Sequence, residues 1–478
     1  MYYRILPYII FRDCSDFGYL TDNRNYGYDT ASKSSIKVGE RILSKTGSVF
    51  YSILSEKAQS LSEIVEQLVP LFPGVSPEAL GKDAEEFFHD LSNDGFILCG
   101  DNRDGLQDLK YFSYENSYAL ELLSEMQVNN GDSFEMNWGT KYHLVRVHVD
   151  VSGLCNEHCV HCFIPDSFKR NIMSKELFNR IIEQCIECKV LNITISGGEP
   201  MLNPNLSYFI EVCREKNFSI NVLSNLTLLT DEYVKIFEKT PLLSIQTSLY
   251  SMNPEIHETI TQQKGSFIKT KNAIEILHKH NIPMQINCPI MKQNKDSYQS
   301  VINWAQSLNI EASSDYMLFG SIDGSSKNLQ CRLSIPEVET IMRQQGVDSK
   351  RENRSGKDGD IGIICPVCTN SLGVSHNGDV YPCEGLQSVH LGNTNEDSLA
   401  SIWDNSPLVQ QLRELNYDDF PKCRTCEDQE YCSRCLIRNA NESLNHDYKD
   451  VNPYFCEIAR RKRQIVLETK DGAFGPGK

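Results

Sequence analysis

The chain has 478 residues, of which 40% are hydrophobic and 23% are charged, a composition typical of a folded protein rather than a disordered one. Its 47 basic and 64 acidic residues give a formal net charge of -17. That charge repels phosphate backbones and anionic lipid, so we expect neither nucleic acid nor a membrane as a partner. No apolar run approaches the roughly 18 residues of a spanning helix, and Arg4, Pro7 and Arg12 interrupt the apolar N-terminus. We therefore expect a cytoplasmic protein.

Residues 1–100 predict a first domain with a winged-helix outline. Two strand-like runs, Tyr3–Phe11 and Gly18–Thr21, precede three helical patterns and a closing strand, Gly95–Leu98. The second helix begins with the capping box Ser60-x-x-Glu63. A winged helix binds either DNA or a peptide, and the charges of this domain decide between the two.

The helical part of this domain is acidic. Between Ser60 and Gly100 there are eight acidic residues and one basic residue, Lys82, whereas a helix that enters the major groove needs Lys and Arg. DNA binding is therefore disfavoured. The outline resembles the leader-peptide recognition domain of peptide-maturing enzymes, which implies that a peptide adds as a strand beside the sheet and the third helix. The alternative is a domain that only packs against its neighbour.

Residues 101–141 predict a connector with one helical stretch, 114–126, and residues 142–335 alternate strand-like runs with amphipathic helices. Six β/α units imply a parallel sheet with right-handed crossovers, as an open sheet or a partial barrel. The predicted strands are Leu144–Val151, Asn192–Ser196, Ser219–Ser224, Leu243–Leu249, Met284–Ile290 and Ala312–Phe319.

The remaining third of the chain is divided by composition. Residues 336–364 predict a linker, because the stretch 344–360 has almost no apolar residue. Residues 365–470 predict a cysteine-rich domain that ends in a basic helix, and 471–478 a disordered tail.

The 18 cysteines are the most informative feature. In a long chain without a signal peptide, clustered cysteines indicate metal sites more often than disulfides. Cys185-x2-Cys188 lies inside a predicted helix, which favours buried packing residues, and Cys331 follows a polar loop where it could meet a substrate. Eleven cysteines have ligand-like spacing: Cys155, Cys159, Cys162, Cys365, Cys368, Cys383, Cys423, Cys426, Cys432, Cys435 and Cys456.

Cys155, Cys159 and Cys162 form a C-x3-C-x2-C group at the end of the first strand of the α/β region. That end of a parallel strand is where such folds place active sites. Three thiolates can hold three irons of a cubane cluster and leave the fourth iron open. The alternatives are a zinc site with a distant fourth ligand, and chance.

The next strand ends in Ser196-Gly197-Gly198-Glu199-Pro200, and this pair of motifs resembles the radical S-adenosylmethionine (SAM) superfamily. The resemblance implies a partial (β/α)6 barrel and a [4Fe–4S] cluster on the three cysteines, whose open iron binds SAM. It implies reductive cleavage of SAM to a 5′-deoxyadenosyl radical, which removes hydrogen from a substrate. Gly197 and Gly198 would let the backbone approach the methionyl ammonium, to which Glu199 would offer a carboxylate.

Further SAM contacts are implied by the same resemblance at the ends of other strands. His161 would lie near the adenine, although a half-exposed loop imidazole is the alternative. Ser224 and Asn225 would face the methionyl carboxylate. Gln246 and Ser248 would contact the carboxylate or ribose, and Asn287 is a weaker candidate.

The C-terminal cysteines, with the turn Asn377-Gly378, resemble the SPASM extension of radical SAM enzymes. One departure is that two residues instead of three separate Cys432 from Cys435. The resemblance implies two auxiliary [4Fe–4S] clusters, which either stabilise the fold of the domain or accept the second electron of a two-electron oxidation. Their implied ligands are Cys365, Cys368, Cys383 and Cys435 for the first cluster, and Cys423, Cys426, Cys432 and Cys456 for the second.

The three domains together resemble SPASM-type maturases of ribosomally made peptides. The segments 246–251 and 289–294 are most similar to maturases that form an intramolecular thioether from a cysteine sulfur to a carbon. The implied partners are a precursor peptide bound through its leader and a low-potential donor of flavodoxin or ferredoxin type. Open alternatives are carbon–carbon crosslinking, epimerisation, sulfatase-maturase-like oxidation of Cys or Ser, a zinc-binding winged-helix regulator and an iron–sulfur electron carrier.

Overall fold

The structure is a computed structural model that describes residues 1–23, 40–106, 142–239, 242, 244–347 and 365–470. The helix predicted at 114–126 and the tail 471–478 lie outside the described residues. So does most of the predicted linker, since only its residues 336–347 are described.

The N-terminal domain contains two small sheets and three helices. The predicted run Tyr3–Phe11 is wrong as a single strand, because Pro7 lies at a turn that separates two strands belonging to different sheets. Strand β4, which the sequence analysis missed, completes the order β2–β3–β4, and the other sheet has the order β5–β1–β6. The strands are β1 Tyr2–Ile5, β2 Ile9–Asp13, β3 Phe17–Asp22, β4 Glu40–Ser44, β5 Gln59–Ser60 and β6 Ile97–Gly100.

The helices of this domain are α1 Lys45–Ser52, α2 Leu61–Leu68 and α3 Pro77–Asn93. The predicted capping box is present, with the Ser60 side chain accepting from the Glu63 N–H and the Glu63 carboxylate from the Ser60 N–H. Residues at helical spacing on α3, such as Leu80, Ala84 and Phe88, are buried in the domain's own core. The domain thus folds around an apolar core separate from that of the barrel.

The central domain is a parallel sheet of six strands in chain order, β7 to β12, with helices packed on one face. The last predicted strand, Ala312–Phe319, is wrong in length, because an Asp315 carboxylate oxygen accepts from the Met317 N–H and turns the chain. The strands are β7 Arg146–Ser152, β8 Asn192–Gly197, β9 Ser219–Leu223, β10 Ser244–Ser248, β11 Met284–Asn287 and β12 Glu311–Ser313. The helices are α4 Lys175–Glu187, α5 Leu206–Glu215, α6 Asp231–Lys239, α7 Pro254–Thr261, α8 Ser266–Lys279 and α9 Tyr298–Ser307.

Side chains alternate between the two faces of this sheet. Val147, Val149 and Val151 of β7 are fully buried in the core shared with the helices. The intervening positions therefore face the interior of the partial barrel. There the strand register aligns a polar row of His148, Thr194, Asn221 and Ser244.

The C-terminal domain extends the barrel sheet. Its strand β13 pairs in parallel with β7, and β14 and β15 follow as antiparallel neighbours, giving a nine-stranded sheet. The predicted linker is wrong over its first ten residues, because Ile335–Gln345 is a helix that begins with a Ser334–Glu337 capping box. The elements are α10 Ile335–Gln345, β13 Ser371–Val374, β14 Asp379–Tyr381, β15 Gly392–Asn393, α11 Leu399–Asn405, α12 Pro407–Glu414, α13 Pro421–Arg424, α14 Leu436–Ala440 and α15 Pro453–Lys470.

Strand β2 joins the N-terminal domain to the barrel. The Phe11 N–H donates to Asn217 Oδ1 at 2.7 Å, and Asn217 Nδ2 donates to the Ile9 carbonyl at 3.0 Å. The Arg12 guanidinium donates to the Val190 carbonyl at 2.8 Å. Val190 and Asn217 precede strands β8 and β9, so this domain sits at the amino ends of the strands. No helix in the described ranges is long and apolar enough to span a membrane.

Candidate active site

The loop Cys155–Cys162 follows β7 directly and lies at the carboxyl end of the sheet. Two backbone hydrogen bonds attach it to the end of α7, from the His158 N–H to the Thr261 carbonyl at 3.0 Å and from the Val160 N–H to the Ile260 carbonyl at 2.9 Å. The structure thus places the three predicted ligands on a loop that is anchored at its start and in its middle.

The thiols of this loop lie close together and are half-buried. Burial raises the pKa of Cys155 to about 11 and that of Cys159 well above its usual value, and for Cys159 the neighbouring Cys155 and Cys162 thiols add to the increase. Three thiols packed this closely in a shielded loop are a donor set that suits metal.

The same donor set fits an iron–sulfur cluster. In a cubane each thiolate binds a different iron, so three thiolates hold three irons and leave the fourth open. Cys155, Cys159 and Cys162 are the residues that would hold such a cluster.

Gly197 and Gly198 allow the end of β8 to approach the cysteine loop. A Cβ at Gly197, whose φ is 129°, would lie 2.2 Å from the Ser152 carbonyl oxygen, and one at Gly198 would lie 2.4 Å from the Leu154 oxygen. The Gly198 N–H donates to the Ser152 carbonyl at 2.7 Å. The two glycines thus have a structural role that the sequence analysis missed, because residues without a Cβ let the end of β8 contact the backbone before the cysteine loop.

Glu199 is fully buried and held by three donors. One carboxylate oxygen accepts from the Met201 N–H at 2.9 Å and the Ser224 hydroxyl at 2.8 Å, and the other accepts from the Asn225 N–H at 2.8 Å. Burial raises the pKa of Glu199 to about 7 in spite of these hydrogen bonds. A cation beside this carboxylate would favour its charged form, so the site suits an ammonium group.

The structure joins Ser224 and Asn225 to this carboxylate and to the cysteine loop. Asn225 Nδ2 donates to Asn156 Oδ1 at 3.0 Å, and Asn156 Nδ2 donates to the Thr227 hydroxyl at 2.7 Å. Asn156 and Thr227 were missed by sequence reasoning, although Asn156 directly follows the first predicted ligand. Their hydrogen bonds fix the position of Cys155 relative to β9.

Glu157 is a second buried carboxylate in the loop, with 4% of its surface exposed. One oxygen accepts from the Cys159 thiol at 3.5 Å, and the other has no partner among the described residues. Burial, with a smaller contribution from Glu199, raises the pKa of Glu157 to about 7. Sequence reasoning missed this residue as well, since a loop glutamate is ordinarily exposed.

His161 packs edge-on against Tyr250, with their ring centroids 5.2 Å apart. Burial lowers the pKa of His161 to about 4, so the imidazole is neutral. Gln246 and Ser248 lie on β10, where the Gln246 carbonyl accepts from the Ser224 N–H at 3.0 Å, and Asn287 ends β11, accepting from the Ser313 hydroxyl at 2.7 Å. All predicted SAM contacts therefore lie at the same end of the sheet.

Two cysteine predictions outside the ligand groups can be compared with the structure. Cys185 is fully buried in the barrel core, which confirms its interpretation as a packing residue, whereas the prediction is wrong for Cys188, which caps the helix and is half-buried. Cys331 is 3% exposed and its thiol donates to the Asn328 carbonyl at 3.0 Å. Its position in an apolar cluster with Tyr250 gives no support to a substrate contact.

A polar cavity of about 310 Å³ lies between the end of β7 and the β13–β14 turn. Asp150, Arg170, His376 and Asp379 contribute to its wall. His148 lies behind Asp150 on the same face of β7, with Nε2 3.1 Å from Oδ1. Burial lowers the pKa of His148, but Asp150 outweighs that effect and raises it overall. Sequence reasoning assigned no role to this pair.

The C-terminal thiols lie in two neighbouring groups. Burial raises the pKa of Cys383 and Cys368, with smaller contributions from Cys365 and, for Cys383, from Cys435. Burial also raises the pKa of Cys423 and Cys456, with smaller contributions from Cys426 and, for Cys423, from Cys456. Cys435 is a neighbour of Cys383 and also lines the cavity among the thiols of the second predicted set, so its assignment to the first set stays a prediction.

A small apolar cavity separates the thiols of the second set. It has a volume of about 50 Å³, and its wall includes Phe420, Leu436 and Phe455 along with all four predicted ligands of that set and Cys435. Burial raises the pKa of Cys432 to about 11. Thiols around an apolar cavity are a setting in which an iron–sulfur cluster can be held.

Comparison with known proteins agrees with this geometry. Residues 149–305 match the model of the Radical SAM superfamily, and residues 365–427 match that of SPASM, an iron–sulfur cluster-binding domain. Together the two domains imply SAM and [4Fe–4S] clusters as cofactors.

Two curated relatives and one solved structure are similar to the chain. The AdoMet-dependent heme synthase of Methanosarcina barkeri is 26% identical over 63% of this chain and 93% of its own length. The antilisterial bacteriocin subtilosin biosynthesis protein AlbA of Bacillus subtilis is 25% identical over 61% of this chain and 67% of its own length. The crystal structure of Streptococcus suis SuiB bound to precursor peptide SuiA shares the fold, with a TM-score of 0.57 and 15% identity over 95% of this chain and 100% of that one.

Proposed function

Since the chain is a radical SAM/SPASM enzyme, we propose that it matures a ribosomally synthesised precursor peptide by joining a cysteine sulfur to a carbon in an intramolecular thioether. The observation that carries the proposal is the three-domain architecture. The similarity to SuiB covers 95% of the chain and therefore includes most of the N-terminal domain. The similarity to AlbA, a protein of bacteriocin biosynthesis, supports a peptide substrate.

The residues at the carboxyl end of the sheet have separable roles. When bound, SAM and the cluster held by Cys155, Cys159 and Cys162 supply the radical chemistry that removes a hydrogen atom from a substrate carbon. Glu199, held by its three donors, binds and orients an ammonium group. The contact between the Gly198 backbone and the cysteine loop fixes the distance between that loop and Glu199.

Thioether formation breaks one S–H and one C–H bond and forms one S–C bond. One hydrogen leaves as an atom, and a proton and an electron must leave separately. The two C-terminal thiol sets would hold clusters that accept the electron. The His148–Asp150 pair, which faces the barrel interior, is a group to which a proton can be transferred.

The outer edge of β4 offers a binding site for the leader peptide. Among the described strands, β4 pairs only with β3, so its outer edge can pair with an added strand. The end of α3 lies beside β4, because Asp94 at that end pairs with Arg41 of β4, and the Phe87 ring lies against Gly47 of α1, the helix that follows β4.

The side of α3 that faces β4 is acidic. Asp83 and Asp90 are exposed and lie at helical spacing from Phe87 and Asp94. A leader bound as a strand along β4 would therefore carry Lys or Arg beside these carboxylates and an apolar residue beside Phe87.

Replacing Asp83 and Asp90 together with lysine is expected to weaken leader binding about tenfold, because two exposed attractions become repulsions. Fluorescence anisotropy with a labelled leader peptide measures the change, which should shrink at high salt. The control is Glu66→Lys with Glu78→Lys, which alters the net charge equally on surfaces away from β4. Equal loss in both variants would contradict a site beside α3.

Co-expression with a candidate cysteine-containing precursor peptide tests the proposed function. The expected product has lost two hydrogens and one free thiol, measured by mass spectrometry with and without alkylation. Loss of two hydrogens with every thiol retained would indicate a carbon–carbon crosslink. Unchanged mass with altered stereochemistry would indicate epimerisation, and a cluster-free zinc protein would overturn the enzyme proposal.

A further inference from the structure

Tyr250 lies two residues beyond β10, at the junction of three parts of the candidate site. Its hydroxyl is 4.0 Å from the Cys159 sulfur and 3.5 Å from His161 Nε2. The Ser248 side chain is a further neighbour of the phenol. One phenol thus contacts a predicted cluster ligand and two predicted SAM contacts, which lie on separate segments of the chain.

The surrounding residues hold Tyr250 in this position. Its backbone N–H donates to His257 Nδ1 at 3.3 Å, and its carbonyl accepts from Asn294 Nδ2 at 2.8 Å. Its ring packs between those of His161 and His257, at centroid distances of 5.2 and 5.4 Å. With 5% of its surface exposed, the phenol has little freedom to turn its hydroxyl away from Cys159.

We propose that Tyr250 is a positioning residue whose hydroxyl donates a hydrogen bond to the Cys159 thiolate and thereby raises the reduction potential of the cluster at this site. The inference rests on the proposed function, because it requires a cluster on Cys155, Cys159 and Cys162. A thiolate is a stronger acceptor than a thiol, and hydrogen bonds to the sulfurs are one determinant of cluster potential.

The neighbouring imidazole is compatible with this direction of donation. His161 Nε2 lies 3.5 Å from the Tyr250 oxygen. With a hydrogen on Nε2, the imidazole donates to the phenol oxygen and leaves the phenol hydrogen for Cys159. In that arrangement the three groups form a chain of hydrogen bonds that ends on the cluster ligand.

The test is an EPR-monitored redox titration of the full chain after anaerobic reconstitution with iron and sulfide. The signal that changes when SAM is added identifies the cluster at this site. Tyr250→Phe keeps the ring and removes the hydroxyl, so we expect a more negative midpoint potential. Replacing Tyr250 with 3,5-difluorotyrosine makes the phenol a stronger donor, so we expect a less negative potential.

Tyr208→Phe is the matched control, since it removes a hydroxyl that hydrogen-bonds Asn179 on the outer helices. Iron content and circular dichroism report whether each variant has folded and is loaded. A wild-type potential in both Tyr250 variants would overturn this inference alone, as would an equal shift in the control. A wild-type protein without a cluster at these cysteines would overturn both the inference and the proposed function.

Discussion

Replacing Cys155, Cys159 and Cys162 together with alanine is expected to abolish SAM cleavage, because the thiols that would hold the cluster are lost. Bound iron should fall by about four atoms per chain, from about twelve to about eight, since the two C-terminal thiol sets remain. Iron analysis, and chromatographic detection of 5′-deoxyadenosine after reduction, measure the two effects.

Cys188→Ala is the control for this triple substitution. Cys188 is a half-buried thiol at the end of α4 and outside all three ligand sets, so its loss should leave iron content and SAM cleavage at wild-type levels. Turnover that survives the triple substitution would contradict the assignment of the site.

Gly198→Ala is expected to lower SAM cleavage by about a hundredfold or more. The added methyl would lie 2.4 Å from the Leu154 oxygen and 3.0 Å from the Cys155 Cβ, so the loop must move. A displacement of about 1 Å at a reacting centre can cost that much in rate. Iron at this site should fall as well, whereas the C-terminal clusters should persist. Rates of 5′-deoxyadenosine formation and iron content again provide the measurement.

Gly81→Ala is the matched substitution. Gly81 lies on helix α3, and the added methyl would meet only Val65, at an ordinary distance of 3.5 Å. Alanine is the better helix former, so this variant should keep full activity with equal or higher stability. If Gly198→Ala retained wild-type cleavage, the close contact between the two loops would not be needed for the site.

The spacing of chemically distinctive residues predicted the site from the sequence. Three cysteines within eight residues specify their own proximity, because a short covalent segment cannot separate them widely. The alternation of strands and amphipathic helices likewise predicted the parallel sheet, because each pattern reports a local burial preference. The strand Ala312–Phe319 was overextended because its apolar residues pack in a loop that Asp315 turns.

Sequence by itself therefore indicated the family, predicted the cysteine ligand sets and located the strand ends that carry the site, since each depends on local spacing. Only the tertiary structure decided how distant segments meet. It paired β13 with β7, brought Asn225 to Asn156, pressed Gly198 against the cysteine loop and set the Tyr250 hydroxyl beside Cys159. These contacts join residues far apart in the chain. Their geometry depends on how whole helices and strands pack, and a local sequence pattern does not predict that packing.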